Sequence, residues 1–215
     1  MKNIYMYVQD TMADFEHGYL MHALSLQTML GEPKVRLLTV SKEKKPIKTV
    51  GGMTIVPDCD LSDIDTANID ALLLIGADSW LNSEQDDVLE LASKLLRDDI
   101  LVGAICGATL GLAEKGILDN RSHTSNASFY LSQMSRHYQG HSYYKDEIAV
   151  QDGNLITASS AGSLSWAKLI VDELGLYSKT TVEAWFNYFS TGDPKYYIEM
   201  MNSLEKDYRA RKELK

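Results

Sequence analysis

The sequence predicts an α/β fold: a doubly wound, mostly parallel sheet with helices on both faces and a helical extension at the C-terminus. Three observations predict it. Short apolar runs alternate with stretches of helical periodicity along most of the chain, the rhythm of parallel strands joined by helical crossovers. The runs Ile69 to Ile75 and Ile100 to Ile105 are almost continuously apolar, as strands covered on both faces must be. Beyond residue 178 the strand pattern ends and only amphipathic helical patterns follow, giving an α/β domain over 1–178 and an extension over 179–215 packed on it.

Ile4 to Val8 reads as the first strand. A helix is expected from Asp14 to Leu30, with Phe15, Tyr19, Leu20, Ala23, Leu26 and Leu30 on one face, stopped by Gly31-Glu32-Pro33. Val35 to Val40 is a second strand. Ile47 to Val50 and Met53 to Val56, around Gly51-Gly52, form a small hairpin. After the buried strand at Ile69 to Ile75, Ser83 and Asp86 open a helix that runs to Asp98. Ile100 to Ile105 is the next strand, and a helix-like stretch follows it. Glu147 to Val150 and Leu155 to Thr157, joined at Asp152-Gly153, form a second hairpin, and a helix runs from Ser163 to Leu174. In the extension, Thr180 with Glu183 fits a capping box, ahead of Val182, Trp185, Phe186 and Phe189 at helical spacing. Asp193-Pro194 restarts a helix bearing Tyr197, Met200, Met201, Leu204 and Tyr208 on one face. That aromatic surface reads first as packing against the domain; it could also serve as a dimer contact or a wall of the active site.

Composition excludes several classes. The net charge is −9, with 30 acidic against 21 basic residues, which disfavours nucleic acid and anionic membranes as partners. The N-terminus lacks a long apolar segment, so secretion is not expected, and no apolar run is long enough to span a bilayer. The two cysteines, Cys59 and Cys106, read as free thiols in a reducing cytoplasm.

The chemistry concentrates at Cys106. It ends an apolar strand and opens a helix within Ala104-Ile105-Cys106-Gly107-Ala108, the small-residue spacing of a nucleophile elbow with a thiol in place of the hydroxyl. Such a turn exposes the sulfur at the carboxyl edge of the sheet, where helix amides favour a thiolate. Glu16, after the first strand, reaches the same edge. As a carboxylate it would raise the thiol pKa; as an acid it would donate a hydrogen bond and favour the thiolate, so the two titrate as a pair. It could equally only complement a helix N-terminus. Backbone amides at Gly76, Ala77 and Gly107 are candidates for an oxyanion hole, and Asp78 and Trp80 could line the mouth. His123, in the polar patch Ser122-His123-Thr124-Ser125-Asn126, is the candidate base, against a reading of that patch as a helix cap. His17 is expected to point away from Glu16. His137 and His141 lack a third ligand, so no metal site and no cofactor are expected. Cys59 lies between Asp58 and Asp60, whose charges should depress its reactivity.

Four segments carry a family resemblance: Asp14-Phe15-Glu16; Leu72-Leu73-Leu74-Ile75-Gly76-Ala77-Asp78; Ala104-Ile105-Cys106-Gly107-Ala108; and Ile156-Thr157-Ala158-Ser159-Ser160-Ala161-Gly162. In this order they resemble the ThiJ/PfpI superfamily, over roughly Lys2 to Gly175. The resemblance implies a flavodoxin-like, class I glutamine amidotransferase-like fold, a reactive Cys106, and a protonated Glu16 hydrogen-bonded to it. Two departures stand out. Gly107 replaces the histidine that protease-like members carry after the cysteine, and Ile75-Gly76-Ala77 replaces a Pro-Gly-Gly turn. No amidotransferase histidine–glutamate pair and no helix-turn-helix segment are evident. The expectation is a cytoplasmic, homodimeric cysteine-dependent hydrolase or lyase acting on a small carbonyl, amide or thioester. The alternative is a non-enzymatic redox sensor or stress-protective thiol, with Glu16 stabilising a sulfinate.

Overall fold

Strands β1 (Lys2–Tyr7), β2 (Val35–Ser41), β5 (Cys59–Asp60), β6 (Ala71–Leu74), β7 (Leu101–Ile105), β8 (Ala149–Asp152) and β9 (Leu155–Ala158) form one sheet in the order β5-β2-β1-β6-β7-β9-β8. All neighbours in it are parallel except β8, which folds back on β9 as a hairpin edge. The small hairpin β3 (Ile47–Lys48) and β4 (Thr54–Ile55) stands apart from this sheet. The computed structural model describes residues 1–31 and 33–213; Glu32 of the expected helix stop and Leu214 and Lys215 of the expected extension lie outside the described residues. Among the described residues, no helix is long and apolar enough to cross a membrane.

Pleating divides the apolar side chains between two cores. Ile4, Met6 and Leu73 face one side, with Leu20 and Ala23 of α1 (Gly18–Ser25), Trp166 and Ile170 of α5 (Ser163–Glu173), Trp185 of α6 (Lys179–Thr191) and Met200 of α7 (Pro194–Glu213). Tyr5, Tyr7, Leu72 and Leu74 face the other, with Leu89 and Leu95 of α2 (Asp86–Arg97) and Ala108 and Leu112 of α3 (Gly107–Glu114). Helices therefore cover both faces, and the continuous apolar runs of β6 and β7 are fully buried, as their sequence requires.

Several local expectations are corrected. The first helix begins at Gly18, not Asp14, and its last part, Leu26–Leu30, is a 3-10 turn. Asp14, Phe15 and Glu16 thus lie in the connection from β1, and Phe15 is 61% exposed rather than on the packed face. The segment is pinned by tertiary hydrogen bonds: Ala13 N–H donates to Gly76 O and Gly51 N–H to Asp14 Oδ2. The α6 cap is Ser178, whose hydroxyl accepts from Thr181 N–H, and Glu183 instead pairs with Lys168 at 2.7 Å. Two elements escape the sequence pattern. Strand β5 has only two residues at the sheet edge, and α4 (Ser128–Met134) buries only Leu131.

The extension packs on the α1–α5 face. Trp185 is 2% exposed, donates Nε1–H to His22 Nδ1 at 3.0 Å, and sits 5.6 Å from the Phe189 ring. Replacing Trp185 with alanine should lower unfolding stability by about 3–5 kcal/mol, through lost burial and the cavity left behind. Urea denaturation checks this; a loss below about 1 kcal/mol would mean that α6 contributes little to this core.

Candidate active site at the β7–α3 junction

Strand β7 passes into α3 through Cys106 alone, and the residue takes up the whole change of direction with φ 56° and ψ −123°. A left-handed φ at a non-glycine residue is a strained conformation. It is held because Cys106 N–H donates to Ala158 O on the neighbouring strand at 2.9 Å, while Cys106 O accepts from Thr109 N–H and the Thr109 hydroxyl in the first turn of α3. The half-buried side chain points out at the carboxyl edge of the sheet, as the elbow spacing predicts.

Glu16 lies against this junction, 1% exposed, with Oε2 accepting Gly76 N–H at 2.8 Å. Its other oxygen has no full hydrogen-bond partner, and the Cys106 thiol is the polar group within its reach. Gly76 makes this possible: a Cβ there would come within 2.6 Å of Glu16 Oε2 and 2.8 Å of Cys106 Cβ. Burial pushes the Glu16 carboxyl above the usual range. Burial first, then the Glu16 charge, pushes the Cys106 thiol up to about 11. Two adjacent buried negative charges are disfavoured, so the pair keeps one proton through the neutral range. Burial raises Glu16 toward the protonated form that the resemblance implies and raises Cys106 as well, so the proton belongs to the pair rather than to either group.

On the other side, Asn126 Nδ2–H donates to Cys106 Sγ at 3.2 Å, and Asn126 Oδ1 accepts from Ser160 N–H at 2.8 Å. The Ser160 backbone N–H can only donate, so it fixes the amide with its NH₂ toward sulfur. This contact lowers the thiol pKa. The sequence quoted Asn126 within a polar patch but offered no sign that it, rather than His123, would reach the sulfur.

His123 is not hydrogen-bonded to the thiol. It is fully buried, with Nδ1 bonded to Arg121 O at 2.7 Å and Nε2 to the Tyr138 hydroxyl at 2.8 Å. Burial lowers its pKa. A neutral ring that donates from Nδ1 and accepts at Nε2 satisfies both bonds and leaves no free nitrogen for proton relay.

The candidate oxyanion donors also divide. Gly76 N–H is taken by Glu16, and Cys106 N–H by Ala158. Gly107 N–H faces Cys106 Sγ. Ala77 N–H has no acceptor among the described residues. The two are neighbours: a Cβ on Gly107 would come within 2.6 Å of Ala77 O and 3.2 Å of Ala77 N. Ala77 is not among the residues with positive φ, so the turn there does not need a glycine.

Trp80 is a core residue, not a lining one: it is 2% exposed and donates to Ile75 O. Asp78 is exposed, and burial first, then the neighbouring Cys106, Asp78 and Glu16, push the Tyr130 hydroxyl up. His17 is half-buried with its pKa lowered by burial. His137 bonds Glu114 at 2.8 Å, and His141 stacks on Tyr138. Among the described residues, no group of three metal-binding side chains is found. Cys59 is a free thiol on β5; burial first, then Asp63, Asp58 and Asp60, push its pKa up.

The family model for the DJ-1/PfpI family matches residues 2–173. The chain belongs to the DJ-1/PfpI family. It is 33% identical over 207 residues to the uncharacterized protease YoaZ of Bacillus subtilis (strain 168), covering 95% of this chain and 99% of that protein. It is 30% identical to the uncharacterized protease YdeA of the same organism, covering 85% and 88%. The structure of a thiJ/pfpI family protein from Bacillus anthracis superposes with a TM-score of 0.88 at 35% identity, over 94% of this chain and 96% of that one. The DJ-1 superfamily protein Atu0886 from Agrobacterium tumefaciens gives 0.78 at 30% identity, over 89% and 99%. The sheet described above is thus the flavodoxin-like fold of DJ-1/PfpI proteins, with α6 and α7 added at its C-terminus.

Removing the negative charge beside sulfur should free the thiol to ionise. In Glu16→Gln, the pH profile of iodoacetamide alkylation at Cys106 should move down from about 11 toward the ordinary thiol range. A profile that stays in place would mean that burial alone holds the thiol protonated.

Proposed function

We propose that this DJ-1/PfpI protein is a cysteine-dependent hydrolase or lyase acting on a small carbonyl, amide or thioester electrophile. The observation that supports it is the strained Cys106 itself, held between Glu16 and Asn126 with the Ala77 N–H lacking an acceptor nearby. Sulfur contacts of this kind suit a step in which a proton moves as the bond forms.

In that step the ionised Glu16 takes the thiol proton while sulfur attacks the electrophilic carbon. The C–S bond forms, the carbonyl π pair moves to oxygen, and the N–H groups of Ala77 and Gly107 receive the charge. The negative charge passes from carboxylate to oxyanion, so no second buried charge is created. For an amide, ester or thioester, Glu16 returns the proton to the leaving atom as its bond to carbon breaks. The carboxylate then takes a proton from water attacking the thioester, and passes it to Cys106 as the acid leaves. Asn126 does not titrate; it orients the sulfur. His123 has no part in this scheme. Two relatives carry protease in their names, and a peptide bond is one amide within this class. Gly107 after the cysteine and the engagement of His123 elsewhere favour small substrates over a Cys-His protease mechanism.

Cys106→Ser should abolish turnover across a panel of dicarbonyls, esters, thioesters and amides, by about 10³-fold or more. Turnover that survives sinks the reading. Glu16→Gln should also lose turnover although its thiol ionises more readily, which separates proton transfer from simple thiol activation. Asn126→Ala should slow alkylation of Cys106 at pH 8 by about tenfold, the size of one hydrogen bond to a charged group. An unchanged alkylation profile would remove Asn126 from the scheme.

A redox-sensor reading rests on the same donors, which would also bind a sulfinate. Mass spectrometry after mild peroxide separates the readings: oxidation at Cys59 with Cys106 still reduced eliminates the sensor.

A further inference from the structure

Two loops and one helix come together around Cys106. Asp78 lies one residue past Ala77, whose backbone N and O adjoin Gly107 at the start of α3. Its own N–H donates to Thr11 Oγ1 at 3.0 Å, which ties the loop after β6 to the loop after β1 that carries Glu16. The third element is α4. Its first turn carries Tyr130, four residues after Asn126, the side chain that reaches the sulfur. Tyr130 is half-buried, and Cys106, Asp78 and Glu16 all act on its hydroxyl. The three acidic groups therefore share one neighbourhood at the carboxyl edge of the sheet, with Asp78 on its solvent side.

The charges of this neighbourhood have one sign. No lysine, arginine or histidine acts on Cys106, Glu16 or the Tyr130 hydroxyl. Asp78 is exposed and forms no ion pair among the described residues. Glu16 and Cys106 hold one proton between them, so the pair contributes one negative charge. The Asp78 carboxylate adds another where a reagent enters from solvent. A carboxylate or phosphate on an incoming molecule would be repelled by both and would find no counter-charge. An ammonium group would be attracted by both.

We propose that Asp78 is a specificity-determining residue of the Cys106 site, selecting neutral and cationic electrophiles and rejecting those that carry a carboxylate or phosphate. As a statement about substrate this rests on the reading of Cys106 as the nucleophile, but the selection itself is measured by thiol labelling, without turnover. The probes are three ethyl methanethiosulfonates that bear a hydroxyl, a sulfonate or a trimethylammonium group. In each, the thiol proton goes to solvent, the Cys106 sulfur bonds the sulfenyl sulfur, and methanesulfinate leaves. Labelling rates at Cys106 and at Cys59 are followed on the full chain by peptide mass spectrometry at low ionic strength. Unit charges acting through several ångströms of water change a rate about threefold each way, so the cationic reagent should outpace the anionic one about tenfold at Cys106. Asp78→Asn should cut that ratio at least threefold, and salt at about 0.5 M should compress the parent's ratio. Should that variant fail to fold, Asp78→Ser should give the same cut. Cys59 stands at the far edge of the sheet on β5, beside its own acidic neighbours, and its ratio should hold in either variant. The proposal is overturned if the anionic reagent labels Cys106 as fast as the cationic one. It is also overturned if the folded variant keeps the parent's ratio, or if Cys59 shifts as much as Cys106. Turnover that survives Cys106→Ser would sink the catalytic reading and leave these ratios as they are.

Discussion

The passage from β7 to α3 through a single residue is the constraint on which the rest of the site depends. A strand and a helix can be joined so abruptly only if one residue adopts a left-handed φ, and that residue is Cys106. The strain is held in place from three sides: by β9 through Ala158 O, by the first turn of α3 through Thr109, and by the segment after β6 through Gly76. Because the direction change is fixed, the sulfur stands at a defined point on the carboxyl edge, and the loops after β1, β6 and β9 converge on it.

Electrostatics then follow from geometry. Glu16 is brought to the sulfur by a loop rather than a helix, and Gly76, lacking a Cβ, lets the two approach while donating its own N–H to the carboxylate. The cost of burying charge raises both groups, so neither is fully independent of the other. A helix N-terminus ordinarily favours a thiolate, but here its first amide works against burial and a neighbouring carboxylate. Asn126 contributes from the opposite side without adding charge.

Much of this was legible in the residues. The uninterrupted apolar runs at Ile69 to Ile75 and Ile100 to Ile105 can only be buried strands, and the small residues around Cys106 can only serve a tight turn. Gly76 and Glu16 were legible as neighbours of the elbow, but not as partners of each other. That bond spans 60 positions of sequence, and no periodic pattern encodes it. His123 and Asn126 show why polar patches mislead: three residues apart, one turns inward to Arg121 and Tyr138, and the other reaches the sulfur. Their directions are set by Ser160, Tyr138 and the β8–β9 edge, all distant in the chain.

The sequence by itself determined the mostly parallel sheet with its long buried strands and the position of the elbow, because burial periodicity and turn sterics are local properties of the chain; the short edge strand β5 and the helix α4, which bury little, carry no such pattern. It also determined that the C-terminal segment would be helical, though not that Ser178 rather than Thr180 would begin it. Tertiary structure alone decided which amides are free, which way each polar side chain faces, and how many protons Glu16 and Cys106 hold between them. Those outcomes depend on hydrogen-bond satisfaction and desolvation, which arise only when segments remote in sequence are brought into contact and water is excluded from between them.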